Sequence, residues 1–359
     1  MTPREQIIAV LRGEQPDIIP SYRECPMDVT VFDGLLPELT GDMVKDQLAF
    51  AKFFDNCVCD INVNGQGIGL TVEEISRTPD EYIYRFETGA VWRESYEPVF
   101  CREALSYPIN SPEDALSFKM PDARLPGRFV RDELIAVVNA FHDAGYFVEA
   151  DAMGAWYGTY YFLTSFENIL MWMAVEPDAA HAVFDMTSKF SLDSARQLLE
   201  AGVDCIATAS DLGSGNGLLF SRDMFAEYVL PWLRELACLC HSYGAYLHLH
   251  SHGHIEALMD DIVGAGVDII NPIGPSDHND LNMFKKKWGD KITIYGGIDT
   301  KIHQMTDEQM AEHIRQVVQT GRVGGRFFPR TESGIPMMPL DKTRRYIELL
   351  QKERRHGYC

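Results

Sequence analysis

The sequence predicts an α/β protein built as a single (β/α)₈ TIM barrel with an N-terminal extension of helices and a β-hairpin. Three observations predict this fold class. Short β-rich runs alternate with helical stretches along residues 121–359, which is typical of parallel strands joined by right-handed crossovers. No predicted strand is followed by the glycine-rich fingerprint of an open dinucleotide-binding sheet. No linker-like or low-complexity segment divides the chain, so we expect one domain over residues 1–359.

Residues 1–120 form the irregular part of this domain, and we expect them to cap the barrel mouth. Thr2 suits the N-cap of a helix, because Pro3 fits the first turn. Aromatic and β-branched side chains alternate on both sides of a Thr-Gly pair, which is typical of a β-hairpin. The predicted elements are a helix over 2–11, a strand near 57–63, a hairpin over 81–95 and a short helix that begins at Ser111.

The remaining residues predict strands and helices in regular alternation. The predicted strands cover 146–152, 203–211, 245–251, 267–273, 291–299 and 325–331. The predicted helices cover 130–143, 167–175, 177–201, 222–242, 254–265, 280–288, 306–319 and 340–354. Together with the strand near 57–63, these strands bring the count close to the eight of a closed barrel.

The composition restricts the classes of function. The chain has 359 residues with 32 basic and 53 acidic side chains, which gives a formal charge of −21. Nucleic acids and anionic membrane surfaces bind basic faces, so neither is expected as a partner. No signal peptide or apolar run of membrane-spanning length is visible, and the 8 cysteines form no CxxC pair. We therefore expect a cytoplasmic enzyme. The sequence does not decide whether it forms a homodimer.

Four histidines alternate at the end of one predicted strand, namely His248, His250, His252 and His254. Alternation directs side chains to one side of a strand, and at the carboxyl end of a barrel strand that side is the mouth, where active sites lie. A single strand histidine is more often a hydrogen-bonded core group. Four in seven residues favour a metal site, because imidazole is a common ligand of Zn²⁺.

Carboxylates at the ends of other predicted strands are the candidates for further site residues. Asp151, Asp211, Asp299 and Glu332 each follow a predicted strand and would reach the barrel mouth. An acidic residue at such a place can also cap the next helix. Glu332 resembles a helix cap least, because a glycine and a proline interrupt the chain shortly after it.

Several segments resemble the uroporphyrinogen decarboxylase superfamily. They are, in chain order, MTPREQIIAVLRGEQPDIIP, SDLGSGNGLLFSRDMFAEYVLP, HSHG followed by GVDIINPI, and YGGID. The resemblance covers most of the chain and implies a single-domain (β/α)₈ barrel. True decarboxylases of this superfamily carry an arginine-rich loop that grips porphyrin carboxylates, whereas Arg23 stands alone in SYRECPMDV here. Together with the acidic balance, this difference argues against porphyrin decarboxylation.

The chain resembles another branch of that superfamily, the zinc methyltransferases that work with corrinoid proteins. The thiol-methylating members carry a His-x-Cys pair on one strand and a second Cys near the last strand. The resemblance places His250 and His252 at the pair and Glu332 or Ser333 at the distal position, so both thiolates are missing. It thus implies a Zn²⁺ site formed by His250, His252 and Glu332. Ser333, Asp211, His248 and His254 stay open as alternatives for the third ligand.

Two imidazoles and one carboxylate leave more positive charge on zinc than thiolates do, which suits the polarisation of an oxygen atom. The resemblance therefore implies a methyltransferase that cleaves an O-methyl compound, above all an aromatic methyl ether. The methyl group would pass to Co(I) of a separate corrinoid protein, which brings the cobalamin. Asp211 and Asp299 would act as catalytic residues that orient ligands or substrate.

An aromatic run directly after Asp151 contains Trp156, Tyr157 and Tyr160. At the barrel mouth these rings would suit a planar substrate or the corrinoid ring, so we predict that they bind the substrate together with Asp151. The alternative is the packed start of a helix, because aromatic side chains dominate ordinary cores.

Two other functions stay open. The first is transfer of a methyl group from a methylated corrinoid to a thiol similar to coenzyme M. The second is a barrel without catalysis that binds a small ligand or a corrinoid protein. Zinc content distinguishes a barrel without catalysis from either methyltransferase. Activity toward thiols rather than methyl ethers identifies the thiol methyltransferase.

Overall fold

The N-terminal part supplies a helix, a barrel strand and a small antiparallel sheet in the computed structural model, which describes residues 1–25, 40–61, 69–96 and 101–357. Its elements are α1 (Pro3–Leu11), α2 (Met43–Phe54), β1 (Val58–Ile61), β2 (Val72–Arg77), β3 (Glu81–Phe86), β4 (Val91–Ser95), β5 (Cys101–Ser106) and α3 (Pro112–Ser117). The Thr2 hydroxyl accepts a hydrogen bond from the Glu5 amide, and the Glu5 carboxylate accepts one from the Thr2 amide. The predicted N-cap of α1 is therefore confirmed, as is the short helix after Ser111.

The predicted hairpin is confirmed as β3 and β4, but it is the centre of a four-stranded antiparallel sheet in the order β2-β3-β4-β5. The two outer strands expose most of their side chains, so no apolar alternation marks them in the sequence. An ion pair between Arg85 and Glu73, at 3.0 Å, joins β3 to β2 across the sheet. On the buried face, the rings of Trp92 and Tyr161 stack with centroids 4.1 Å apart, which packs the sheet against the helices of the barrel.

The rest of the chain contains the alternating strands and helices that the sequence predicts. In chain order these are α4 (Arg131–Asp143), β6 (Phe147–Asp151), α5 (Ala155–Phe162), α6 (Phe166–Val175), α7 (Pro177–Glu200), β7 (Cys205–Ala209), β8 (Gly213–Ser214), β9 (Gly217–Leu218), α8 (Arg222–Met224), α9 (Leu230–Ser242), β10 (Tyr246–His250), α10 (Met259–Ala265), β11 (Ile269–Ile273), α11 (Leu281–Trp288), β12 (Thr293–Ile298), α12 (Asp307–Gly321), β13 (Phe327–Thr331) and α13 (Leu340–Arg354). The predicted helix over 222–242 contains a π-helical turn, Phe225–Val229, between α8 and α9. None of these helices is long and apolar enough to cross a membrane.

Seven strands form one parallel sheet in the order β1-β6-β7-β10-β11-β12-β13, with helices packed outside it. An irregular segment takes the eighth place, because the Cys57 amide before β1 donates a hydrogen bond of 2.8 Å to the Ser21 carbonyl. On its other side, the Tyr22 ring lies 5.0 Å from the ring of Phe328 on β13. The predicted barrel is therefore confirmed, with seven regular strands in the part of the chain that the structure describes. The last two residues of the strand predicted over 57–63 lie outside the described residues.

The interior of the barrel changes from apolar to polar along the strands. Phe147 on β6 and Phe328 on β13 belong to an apolar cluster near the amino-terminal ends. Two positions further along the same strands stand Glu149 and Arg330, and the period of two directs them to the same side. Polar and charged side chains therefore collect at the carboxyl ends of the strands, where a barrel places its active site.

Candidate active site

A cavity of about 390 Å³ opens at the carboxyl ends of the barrel strands. It contains three of the predicted metal-ligating residues, His250, His252 and Glu332, together with Asp151. Among the described residues, its lining consists of Arg23, Glu149, Asp151, Ala207, Thr208, Ala209, His248, His250, His252, Asn271, Tyr295, Arg330, Glu332 and Ser333.

The two imidazoles at the end of β10 are each fixed by a side-chain oxygen. Nδ1 of His250 lies 3.2 Å from Oδ1 of Asn271, and Nδ1 of His252 lies 2.9 Å from Oδ2 of Asp277. Donation from Nδ1 leaves the lone pair of Nε2 free on both rings, and a ligating histidine is usually oriented in this way. The ring centroids lie 4.8 Å apart. Burial and the neighbouring His252 lower the pKa of His250, which favours its neutral form.

The other predicted ligands lie around this pair without converging on it. Glu332 is buried, and its Oε1 accepts a hydrogen bond of 2.9 Å from the Ser276 amide. The Ser333 hydroxyl lies 3.5 Å from Nε2 of His252. Asp211 lies with Oδ1 3.9 Å from Nε2 of His250 and accepts a hydrogen bond of 3.0 Å from the His252 amide.

Zinc, which the resemblance implies, fits the chemistry of these donors but not their present spacing. Two imidazoles with oriented rings and a buried carboxylate are a common donor set for Zn²⁺. In the part of the chain that the structure describes, however, no three His, Cys, Asp or Glu side chains come together closely enough to hold a metal ion. Glu332 would have to exchange its hydrogen bond with Ser276 for a third place beside the two histidines.

A buried ionic network lies beneath His250, and most of it was not predicted. Glu149 accepts hydrogen bonds from the Tyr22 hydroxyl at 2.5 Å and from Nδ1 of His248 at 2.8 Å. Nε2 of His248 lies 2.7 Å from Oδ1 of Asn271, the same oxygen that fixes His250. Burial alone would raise the pKa of Glu149, but the charge of His248 and its hydrogen bond lower that pKa to about 2. The charged Glu149 therefore holds His248, and His248 and His250 both contact the same Asn271 oxygen.

Asp151 lines the cavity as an acidic group that favours its protonated form. Burial and the nearby Asp60 raise its pKa, against the opposing effect of Arg23. The Arg23 guanidinium is already paired, with Nη2 3.0 Å from Asp60 and Nη1 3.6 Å from Glu149. The arrangement leaves Asp151 as a hydrogen-bond donor in the cavity wall near neutral pH.

Asp299 and the three aromatic residues lie outside the described lining of this cavity. Asp299 caps a short 3₁₀ turn by accepting a hydrogen bond from the Lys301 amide at 2.8 Å, which corresponds to the helix-cap alternative. Trp156 is buried in α5, and its Nε1 donates to the Asp211 carbonyl at 2.8 Å. Tyr157 and Tyr160 pack against each other at 5.5 Å in the same helix. Their placement corresponds to the packed helix, and substrate binding by these residues stays a prediction.

The histidine run turns away from the cavity at Gly253. This residue has a φ of +93°, and an added Cβ would lie 2.0 Å from the carbonyl carbon of Gly213. His254 follows the turn and lies with Nδ1 3.1 Å from the carbonyl oxygen of His278, away from the described cavity lining. The close approach of the two glycines therefore determines which histidines reach the site.

We expect Gly253→Ala to lower the free energy of unfolding by about 1–3 kcal/mol more than Gly244→Ala does. Gly244 is the matched control, because its φ is +71° but no atom lies within 4 Å of an added Cβ. Both variants share the strain of a left-handed residue, and only the first adds a backbone clash. Urea denaturation measures the difference, and equal losses in the two variants would contradict the packing argument.

Two of the unpredicted residues each stand two positions before a predicted site residue. Glu149 precedes Asp151 and Arg330 precedes Glu332 by two residues, so the same period that predicted the end residues would have indicated both. Asn271 stands in the buried strand β11, where an amide among isoleucines was the available signal. Asp277 and Ser276 lie in a short 3₁₀ turn, and no sequence pattern distinguishes them.

Comparisons with known proteins agree with this architecture. The methylcobamide:CoM methyltransferase MtaA of Methanosarcina barkeri is 23% identical over 189 residues, which are 52% of this chain and 52% of that protein. The chain thus spans about half the length of this curated relative. A solved methyltransferase from Methanosarcina mazei, 17% identical, superposes with a TM-score of 0.70 over 98% of this chain and 99% of its own. This similarity confirms the fold. The sequence profile of uroporphyrinogen decarboxylase (URO-D) matches residues 104–352, and the chain therefore belongs to the URO-D family.

Proposed function

We propose that the protein is a methyltransferase that removes a methyl group from a small O-methyl compound and passes it to the corrinoid of a separate protein. The observation that carries this proposal is the pair His250 and His252, each fixed through Nδ1 and lining the cavity at the barrel mouth. The methyltransferases among the relatives support the reaction class. An aromatic methyl ether is the substrate that the sequence favours.

His250, His252 and Glu332 would hold a zinc ion in this proposal. A bound zinc ion would supply Lewis acidity toward the oxygen atom that carries the methyl group. Asn271 and Asp277 keep the two imidazoles in the tautomer that a metal ligand needs, since each accepts a hydrogen bond from Nδ1. Asp211 orients the second imidazole through the backbone amide of His252.

The departing oxygen becomes negative when the carbon–oxygen bond breaks and the methyl group leaves without the bonding electrons. Asp151 lines the cavity with a raised pKa, so its carboxyl group can donate a hydrogen bond to that oxygen near neutral pH. Buried apolar side chains fill the amino-terminal end of the barrel, and the cavity opens at the opposite end. The corrinoid protein that accepts the methyl group would therefore dock at the mouth.

One observation favours a second function: the chain is similar to MtaA, a methylcobamide:CoM methyltransferase. In that alternative the methyl group moves from the corrinoid to a thiol, and the thiol sulfur takes the place of the ether oxygen. The absence of both family thiolates from His250-Ser251-His252 and Glu332-Ser333 favours the ether reaction. The same cavity serves either direction.

The direct test is methylation of a reduced corrinoid protein by the full chain with a panel of methyl compounds. The panel contains methoxylated aromatic compounds, methanol and a methylated thioether, and the loss of Co(I) absorbance measures transfer. We expect transfer from at least one methyl ether. Methylation of a thiol by the methylated corrinoid protein, with no transfer from any ether, would replace this proposal by the second function.

Metal content tests the proposed ligands separately. We expect the purified protein to hold about one equivalent of zinc per chain, and we expect His250→Ala to lose most of it. His241→Ala is the matched control, because this exposed histidine on α9 pairs with Asp268, outside the described cavity lining. Less than about half an equivalent in the wild type, or full retention in His250→Ala, would contradict a zinc site at the histidine pair.

A further inference from the structure

Arg330 carries a positive charge that the proposed chemistry does not use. It lies on β13 two residues before Glu332, and it lines the cavity. None of the described carboxylates forms an ion pair with its guanidinium within 4.0 Å. Its Nε is buried without a hydrogen-bond partner among the described residues, and its Nη2 donates a hydrogen bond of 3.2 Å to the Cys25 thiol.

The other cavity arginine is neutralised, so the two guanidinium groups differ. Arg23 lies 3.0 Å from Asp60 and 3.6 Å from Glu149. Arg330 instead lies over the ring of Tyr295, 5.2 Å from its centroid, which stabilises a cation without neutralising it. A partly buried guanidinium with no ionic partner among the described residues is incompletely compensated, and an anion that enters the cavity would supply the missing charge.

Glu24 is the acidic residue whose charge acts on Arg330 from behind the cavity wall. It does not line the cavity. Burial raises the pKa of Glu24 to about 7, against the effect of Arg330, so this group is only partly charged near neutral pH. It therefore compensates Arg330 in part and leaves the cavity side of the guanidinium free for a ligand.

We propose that Arg330 is a specificity-determining residue that binds an anionic head group, a carboxylate or a sulfonate, on the small molecule that enters this cavity. The planar guanidinium suits such a group, because its parallel N–H donors match two oxygen atoms. His250 and His252 line the same cavity of about 390 Å³, so one small molecule can contact Arg330 with its head group and the histidine pair with its reacting end. This inference rests on the proposed function and restricts its substrates to anions.

Binding of anions without a reacting group tests the assignment. Benzoate represents a carboxylate donor, ethanesulfonate represents a sulfonate acceptor, and methoxybenzene is the neutral comparison, each titrated calorimetrically into the full chain. We expect at least one anion to bind, and Arg330→Met to weaken it at least about tenfold, the loss of one charge-assisted hydrogen bond. Arg330→Lys should weaken it less, and methoxybenzene should bind both proteins equally.

Two control variants distinguish anion binding at Arg330 from binding at a surface guanidinium or at a metal ion. Arg222→Gln removes a guanidinium that pairs with Asp261 outside the described lining, and it should leave anion binding unchanged. The double variant His250→Ala/His252→Ala cannot hold an anion through a metal at the histidine pair, and it should still bind the anion. Thermal unfolding verifies that each variant is folded.

Three results would overturn the proposal. They are no binding of either anion to the wild type, equal binding of an anion by the wild type and Arg330→Met, and anion binding that is lost in the double histidine variant but kept in Arg330→Met. Preference for benzoate assigns the head group to a methyl donor, and preference for ethanesulfonate assigns it to a thiol acceptor. The titrations need no corrinoid protein, so they succeed or fail independently of methyl transfer.

Discussion

Replacing His252 with alanine is expected to lower the rate of methyl transfer about a thousandfold while the protein stays folded. The variant removes one of the two imidazoles of the site and leaves Asp277 without the partner at 2.9 Å. Lewis-acid stabilisation of a leaving oxygen contributes several kcal/mol, and a loss of about 4 kcal/mol corresponds to a factor of about a thousand. The His252 side chain is about one-third exposed, so its removal leaves no large cavity in the core.

His254→Ala is the matched control for this experiment. The residue lies two positions further along the same segment, but it turns toward the carbonyl of His278 after Gly253. We expect its activity to stay within about twofold of the wild type. The initial rate of Co(I) methylation under saturating donor compares the two variants. A His252→Ala enzyme that keeps more than a tenth of the activity would contradict the central place of this imidazole.

The alternating strands and the histidine pair could be predicted because their signals are local. The regular period of the βα units marks each strand, and every strand predicted after residue 140 is present. His250 and His252 stand at a strand end, where the barrel fold itself directs side chains into the mouth. One short stretch of sequence thus predicts both the strand and the imidazoles at its end.

The side chains that hold the histidines in place could not be predicted, because they come from distant parts of the chain. His248 contacts Glu149 on β6 and Asn271 on the neighbouring strand β11, 99 and 23 residues away in sequence. The eighth place of the barrel is an irregular segment around Ser21, whose residues show no strand period. The aromatic run after Asp151 had two interpretations, and only packing shows that Trp156 is buried in the core. Contacts of this kind depend on which strands become neighbours.

Replacing Glu149 with alanine is expected to destabilise the fold by about 3–5 kcal/mol, the cost of breaking a buried ion pair. The carboxylate is almost fully buried, accepts hydrogen bonds from Tyr22 and His248, and lies 3.6 Å from Arg23. Its loss would leave the buried His248 without its carboxylate partner, whereas Arg23 would keep Asp60 at 3.0 Å. Glu149→Gln keeps the volume and one acceptor, so we expect a smaller loss. Denaturation in urea at pH 7 measures both variants.

The pH dependence of that loss identifies charge rather than volume as its cause. The pKa of Glu149 is about 2 in the folded protein, below the ordinary value of 4.5, so the folded state binds fewer protons than the unfolded state between these values. The stabilisation is therefore complete above about pH 5 and declines as the pH falls toward 2. The difference between wild type and Glu149→Gln should shrink by about 1 kcal/mol between pH 7 and pH 3.5, since the unfolded carboxylate is then mostly protonated. A difference that stays constant over this range would show that the Glu149 side chain acts through its shape. The charge of Glu149 would then not explain how His248 and Asn271 hold His250 in place.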